Sequence, residues 1–449
     1  MMKKRILSAA AAIIFTAGMT ACGNADSSAK AETGLKGKTN GTAETAPAKK
    51  KAEARSEETF GAEADGEAMF AAETEAAADT AAGSADELGD TGREAADPVE
   101  PSPDVTATDD IAPAPEAGQL TAGEWKDNDN WGFLENLVSS GSIAFPFGLD
   151  PTVRTAVTVN NDAGEAVVNA NVRLKSADGS VLWSAVTNKN GVAYLFGRDA
   201  AAIEVESGGA SESYPIEGAV PVDEQTPASA DASREMTVTF NGSGSLYTNT
   251  EIMFIVDTTG SMGDEMLFLQ SEFTAITEAV GTENVKYSVN FYRDEGDDYV
   301  TKLNPFTTDI ADVQRKLNNE YAAGGGDMPE AVAEALDGCL TNGEWSEDSV
   351  KLAFLIFDAP PHDNKEEMLK TAVKTASEKG IRLVPVVSSN TDRNTELFAR
   401  ALAIETGGTY VFLTDDSGIG GSHLEPIIGS YSVEKLYDVI IRVINEYRQ

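Results

Sequence analysis

The chain has 449 residues, 41% of them hydrophobic, and carries 74 acidic against 34 basic side chains for a formal charge of −40. That length holds two or three domains with real cores. The charge excludes nucleic acid as a partner, because nothing here neutralises phosphates, and it excludes electrostatic docking onto anionic lipid.

At the N-terminus Lys3, Lys4 and Arg5 precede an apolar run over 6–19, the order of basic and hydrophobic regions in a secretory signal. The ending Met19-Thr20-Ala21-Cys22-Gly23 resembles a bacterial lipobox. By that resemblance 1–22 is a lipoprotein signal peptide and Cys22 becomes the lipidated N-terminus. The mature protein is then expected to be extracytoplasmic and to touch a bacterial membrane only through that anchor. Cys339, the one other cysteine, is left without a disulfide partner and reads as a buried small hydrophobe.

Residues 23–120 are rich in Ala, Glu and Pro, and between 56 and 120 eighteen acidic side chains face a single basic one, Arg93. Too little apolar surface is present to offset ordering entropy, so this segment reads as a disordered acidic linker. Trp125, Trp131, Phe133, Leu134 and Leu137 then mark 121–151 as an ordered lead-in with one short helix. Over 152–242, short alternating runs such as 153–159 and 168–174 are separated by the turn signals Asp162-Ala163-Gly164, Asp178-Gly179 and Asn190-Gly191. That rhythm predicts an antiparallel β-sandwich. The pattern resembles small extracellular modules of the immunoglobulin-like or carboxypeptidase-regulatory kind, and its expected role is that of a spacer.

Residues 246–449 alternate strand-like and helical runs, which predicts an α/β domain with a doubly wound, mostly parallel sheet of six strands. The strands are placed at 252–256, 285–292, 299–306, 352–357, 381–387 and 409–413. Met266, Leu269, Phe273, Ile276 and Val280 recur three and four apart on one helix face, and Val433, Leu436, Ile440, Val443 and Tyr447 do so on the last helix.

In such sheets ligands sit at the carboxyl ends of the strands, where strand order reverses. Asp257 and Asp358 each end an apolar strand, and Asp327 follows Gly324-Gly325-Gly326 ahead of a helix. With the hydroxyls of Thr259 and Ser261 they form an oxygen-rich set of the kind that hard divalent cations take. Read singly, Ser261 and the Asp327-Met328-Pro329-Glu330 run also fit helix caps, and Asp264 and Glu265 read as solvated helix charges.

Several motifs in order carry a family likeness: Asp257-Thr258-Thr259-Gly260-Ser261, Phe291-Tyr292-Arg293-Asp294-Glu295-Gly296-Asp297, Gly324 to Glu330, and Phe357-Asp358-Ala359-Pro360-Pro361-His362. Together they resemble the von Willebrand factor type A domain with its metal-ion-dependent adhesion site. That resemblance implies direct metal ligation by Thr259 and Ser261, with Asp257 and Asp358 acting directly or through water. Asp327 takes the place where many members have threonine. It also implies one divalent cation, Mg²⁺ first with Ca²⁺ or Mn²⁺ as alternatives. The partner is expected to be a protein offering an acidic side chain to the metal, with no catalysis.

Two alternatives stand beside it. Val256 to Ser261 also looks like the nucleophile motif of haloacid-dehalogenase-type phosphohydrolases, with Asp257 phosphorylated, and a third reading gives the metal a purely structural role. The 415–425 loop, with Asp415, His423 and Glu425, reads as a structured rim or a second cation site. Only His362 and His423 are available as histidines, which excludes a zinc site built on several of them.

Overall fold

The computed structural model describes residues 120–216, 233–418 and 421–448. The signal segment, Cys22 and the acidic linker lie outside them. In chain order the elements are β1 (Thr121–Trp125), α1 (Trp131–Ser139), β2 (Arg154–Asn160), β3 (Asn171–Ser176), β4 (Val181–Val186), β5 (Val192–Phe196), β6 (Ala200–Ser207), β7 (Ala210–Pro215) and β8 (Arg234–Thr239). The α/β part follows with β9 (Asn249–Asp257), α2 (Gly263–Val280), β10 (Val285–Tyr292), β11 (Thr301–Lys302), α3 (Ile310–Asn318) and α4 (Val332–Leu336). It closes with β12 (Ser349–Phe357), α5 (Glu366–Lys379), β13 (Ile381–Val387), α6 (Arg393–Thr406), β14 (Tyr410–Thr414), β15 (Glu434–Lys435) and α7 (Leu436–Arg448). No helix among the described residues is long and apolar enough to cross a membrane.

The large sheet is mixed and has eight strands in the order β11-β10-β9-β12-β13-β14-β1-β15, which corrects the expected six. Its parallel centre is the apolar runs read from the sequence: β9 pairs with β10 and β12, and β12 with β13. The two unexpected strands are β1, which the lead-in lays antiparallel along β14, and the two-residue β15, which pairs antiparallel with β1. Gly123 permits that pairing, because a Cβ there would lie 2.4 Å from the Phe412 ring. The predicted edge strand over 299–306 shortens to the two residues of β11.

Strand alternation sorts the core into two faces. Ile252, Phe254 and Val256 of β9 join Leu269, Phe273 and Ile276 of α2 and Ile440 and Val443 of α7 on one face. Met253 and Ile255 point to the other, where α5 and α6 pack. The expected apolar stripe of α2 is buried throughout.

The described residues of 152–242 form a three-stranded sheet, β5-β2-β8, and a four-stranded one, β4-β3-β6-β7. The second is antiparallel, but β2 and β8 run parallel, which corrects the all-antiparallel expectation. The buried residues of both sheets belong to the same cluster as α5 and α6. The Trp183 indole donates to Ser377 Oγ of α5 at 2.8 Å, and Arg382 of β13 donates to the Val186 carbonyl of β4 at 2.6 Å. This part of the chain is therefore packed against the α/β body rather than held at a distance from it.

The lead-in is tied down by charge. Arg400 on α6 is fully buried and donates to both carboxylate oxygens of Asp127, at 2.7 and 2.9 Å, to Glu396 at 3.3 Å and to the Ile427 carbonyl at 2.9 Å. Breaking a buried pair leaves an uncompensated charge and typically costs about 3–5 kcal/mol. Because Glu396 remains, Asp127→Ala is expected at the low end, a loss of about 3 kcal/mol in a urea titration. A loss below about 1 kcal/mol, the worth of a surface pair, would show that the lead-in is not bound into the body.

Candidate metal centre

Between β9 and β12 the strand order reverses: β10 lies on one side of β9, and β13 and β14 lie beyond β12. Asp257 is the last residue of β9, and Asp358 directly follows β12, so both carboxylates stand at the switch. The turn after β9 is pinned by its own hydrogen bonds. Thr258 N–H and Oγ1 both donate to the Tyr292 carbonyl, at 2.9 and 2.8 Å. Asp257 Oδ1 accepts from the Thr259 amide at 2.9 Å and from Thr259 Oγ1 at 2.7 Å. Thr259 Oγ1 lies 3.5 Å from Ser261 Oγ.

The 324–327 loop crosses over this turn, with the Gly324 carbonyl accepting from Gly260 N–H at 3.2 Å and Ala323 N–H donating to the Thr258 carbonyl at 3.0 Å. Gly324 and Gly325 sit at φ of 82° and 68°, a region that only glycine adopts freely. They also make room: a Cβ on Gly324 would lie 2.4 Å from the Asp297 carboxylate, and one on Gly325 2.7 Å from Glu330 Oε1 and 3.2 Å from Thr259 Cβ. Asp297 Oδ2 accepts from the Gly325 amide at 2.9 Å and from the Asp294 amide at 3.1 Å. The glycine run is thus what lets acidic side chains close in on the Thr259 turn.

Of the residues singled out in the sequence, Asp257, Thr259, Ser261 and Asp358 come together. Asp327 stands exposed and makes no hydrogen bond or ion pair among the described residues. The buried acid contributed by that segment is Glu330, three positions on. Capping-box logic assigned it to a helix end, but its backbone instead bridges to Pro361, and its amide donates to the Pro360 carbonyl at 3.0 Å. The readable signal was position: Glu330 opens an almost wholly apolar stretch over 331–336.

Burying these acids together is electrostatically costly. Burial, and then the charge of Asp358, raises the Asp257 carboxyl to about 7. Burial, then Asp257 and Asp294, raises Glu330 to about 9. Asp358 is pushed up by burial, offset in part by the Ser261 hydroxyl. Tyr292, buried alongside, is pushed well up by burial and by the same carboxylates. Three carboxylate oxygens in this group, Asp257 Oδ2, Asp358 Oδ1 and Glu330 Oε2, are buried without a hydrogen-bond partner. Each such orphan carries a penalty of about 1–3 kcal/mol or more. Among the described residues no three His, Cys, Asp or Glu side chains are grouped to hold a metal by themselves. A cation here therefore needs the Thr259 and Ser261 hydroxyls and water as well, which is chemistry that Mg²⁺ and Ca²⁺ accept.

Neighbouring polar residues have other duties. His362 Nε2 pairs with Asp294 Oδ1 at 2.7 Å. Glu265, expected in solvent, is buried on α2 and accepts from Ser389 Oγ at 3.2 Å. His423 joins Ser389 Oγ through Nε2 at 3.2 Å to Asp415 Oδ1 through Nδ1 at 2.8 Å. Those bonds tie the 415–425 loop to the ends of β13 and α2.

Residues 251–422 match the family model described as the von Willebrand factor A domain. A putative ariadne-like RING finger protein of Acanthamoeba polyphaga mimivirus is 27% identical over 186 residues, covering 36% of this chain and 18% of that protein. The chain thus spans less than a fifth of that relative. Among solved structures, the conserved hypothetical protein BatB from Bacteroides thetaiotaomicron aligns over 44% of this chain and 98% of its own, at 16% identity and a TM-score of 0.33.

Glu330 generates a prediction about pH. Its folded pKa lies above the unfolded value of 4.5, so the stability linked to its proton is present below pH 4.5 and is lost as pH rises toward about 9. In chelator, Glu330→Gln is expected to match the wild type near pH 4.5 and to be more stable at pH 8, by about 1–3 kcal/mol for relief of an unsatisfied buried carboxylate. Parallel pH profiles of melting temperature for the two proteins would contradict the placement.

Proposed function

From the premise that residues 251–422 form a von Willebrand factor A domain, we propose that this chain binds a protein partner through one divalent cation. The cation is held by Asp257, Thr259, Ser261 and Asp358 at the switch point of the sheet. Mg²⁺ is the first choice, with Ca²⁺ or Mn²⁺ as alternatives. Glu330 joins the set, and Asp327 stays in it as the exposed acid of the loop that crosses the Thr259 turn. The observation that carries the reading is the trio of buried, partnerless carboxylate oxygens beside two hydroxyls.

When bound, the cation supplies positive charge that the buried acids lack and an open position for a partner's acidic side chain. The chain's own part is positional. The Thr259 amide and hydroxyl fix Asp257 Oδ1 and leave Oδ2, with the buried Tyr292 hydroxyl close to the carboxylate, as the oxygen to meet the cation. The phosphohydrolase alternative draws no support from this geometry, because Asp257 is fully buried and one of its oxygens already accepts two hydrogen bonds. The three inner acids also exceed the charge of one divalent ion, which weakens capture of an acidic partner relative to a site with fewer carboxylates.

The proposal extends to location: the mature protein is lipid-anchored through Cys22 on the extracytoplasmic side of a bacterial membrane, with the 23–120 segment as a tether that leads directly into β1 of the α/β sheet.

Calorimetric titration of Mg²⁺, Mn²⁺ and Ca²⁺ into the chelator-treated chain should give saturable one-site binding. Asp257→Ala should abolish it while the far-ultraviolet circular dichroism is retained; wild-type affinity in that variant would sink the site. In cells fed labelled palmitate, the Cys22→Ser precursor should take up none, and labelling equal to wild type would refute the anchor.

A further inference from the structure

A cleft of about 730 Å³ opens at the end of the large sheet opposite the metal centre, between the amino ends of β12 and β13 and the turns of the small sheets. Six cations line it: Lys126, Lys189, Lys351, Lys379, Arg382 and Arg448. Lys126 pairs with Glu446 at 2.5 Å, while the other five form no ion pair among the described residues. This concentration of unpaired positive charge is unusual in a chain whose formal charge is −40.

The two deepest cations are the most telling. Lys351 and Arg382 are 6% and 7% exposed on neighbouring strands; Glu251 and Asp348 act on Lys351 through space more strongly than Arg382 does, but neither acid forms an ion pair with it among the described residues. Lys351 Nζ donates to the Glu347 and Ser349 carbonyls, both at 3.2 Å, and lies 5.7 Å from the centre of the Tyr247 ring. Arg382 reaches only the Thr406 and Val186 carbonyls, at 2.9 and 2.6 Å. Lys379 likewise donates to the carbonyls of Leu340 and Thr341, at 2.8 and 2.9 Å. Buried charges are normally paired, and an ammonium and a guanidinium each have N–H groups to spare after two such bonds. The cleft therefore offers fixed positive charge and free donors to an anion from outside.

Other features narrow the anion. Asp129, Glu347 and Glu378 line the cleft from exposed positions. Acids at the mouth and cations at the floor repel a long polyanion and admit a compact ligand with one or two charges. The volume is that of a small-molecule site. The amides of Asn171 and Asn190 carry no side-chain hydrogen bond among the described residues, and they supply both donors and acceptors. Tyr194, Tyr247 and Trp345 supply flat apolar faces. Amides for hydroxyls, aromatic faces for a ring and cations for an acid make up the chemistry that a charged sugar requires.

We propose that this cleft is a binding site for a small anionic saccharide, a sugar of one or two rings bearing a carboxylate or phosphate on Lys351, Arg382 and Lys379. The site is independent of the metal centre. The full chain, in chelator, is titrated calorimetrically with digalacturonate, glucose 6-phosphate, neutral lactose and tetraglutamate. One of the two acidic sugars should bind saturably, on the order of tenfold tighter than lactose or tetraglutamate, the worth of one charge-assisted hydrogen bond. Which of the two binds better identifies the anionic group. Lys351→Met should weaken binding by on the order of tenfold. Lys379→Ala and the exposed Lys189→Ala keep the test valid if the buried substitution fails to fold: each should weaken binding, Lys379→Ala with a modest drop in melting temperature from its two lost carbonyl bonds and Lys189→Ala with none. Asp257→Ala should leave binding unchanged. The proposal is overturned if neither acidic sugar binds at millimolar concentration, if lactose or tetraglutamate binds as well as the acids, or if Lys379→Ala folds and binds like wild type.

Discussion

Asp257 and Asp358 are buried side by side at the ends of adjacent parallel strands, and Glu330 is folded in beside them. Three acids in one desolvated space repel one another and have lost the water that would stabilise their charge. Without compensation each carboxyl holds its proton more tightly than usual, which is the direction found for all three. The surrounding structure serves this arrangement. The Thr258 bonds to Tyr292 fix the turn, the Gly324–Gly325 pair gives Glu330 and Asp297 room to approach, and the Glu330 bridge to Pro361 ties the loop to the segment after β12. On the proposed reading, a divalent cation would relieve that repulsion by adding charge where three oxygens lack a donor.

The remainder of the molecule holds that corner still. Strand β9 is buried over eight of its nine residues and has parallel neighbours on both sides, so the position of Asp257 is set by a buried central strand of the sheet. The lead-in adds β1 to the far side, and the buried Arg400 clamps it through Asp127. The small sheets share a core with α5 and α6, and Arg382 and Trp183 bond across that contact. The same contact leaves the basic cleft open at the opposite end of the strands. One scaffold thus presents an acidic face and a basic recess at its two ends.

Much of this was legible in the sequence where physics acts locally. The α2 face followed from its three-and-four spacing, and the strand ends at Asp257 and Asp358 followed from apolar runs that stop at an acid. Strand β1 was not legible, because five residues with a central glycine form a strand only when β14 and Phe412 are already in place. Glu330 was misread because a capping box and a buried carboxylate look alike until tertiary contacts decide between them. Glu265 was readable in hindsight: it lies four residues before Leu269, on the stripe that faces the core, and finds Ser389 there. The family likeness supplied the ligand order but pointed to Asp327, whereas in this chain the buried acid of that loop is Glu330.

Anomalous diffraction from crystals of the chain grown with Mn²⁺ tests the central claim most directly, because it locates the ion without relying on binding heats. The account predicts one strong peak among the Thr259 and Ser261 hydroxyls and the carboxylates of Asp257 and Asp358, absent in the Asp257→Ala protein. Ordered side chains there with no peak at saturating Mn²⁺, or a peak elsewhere on the molecule alone, would contradict it.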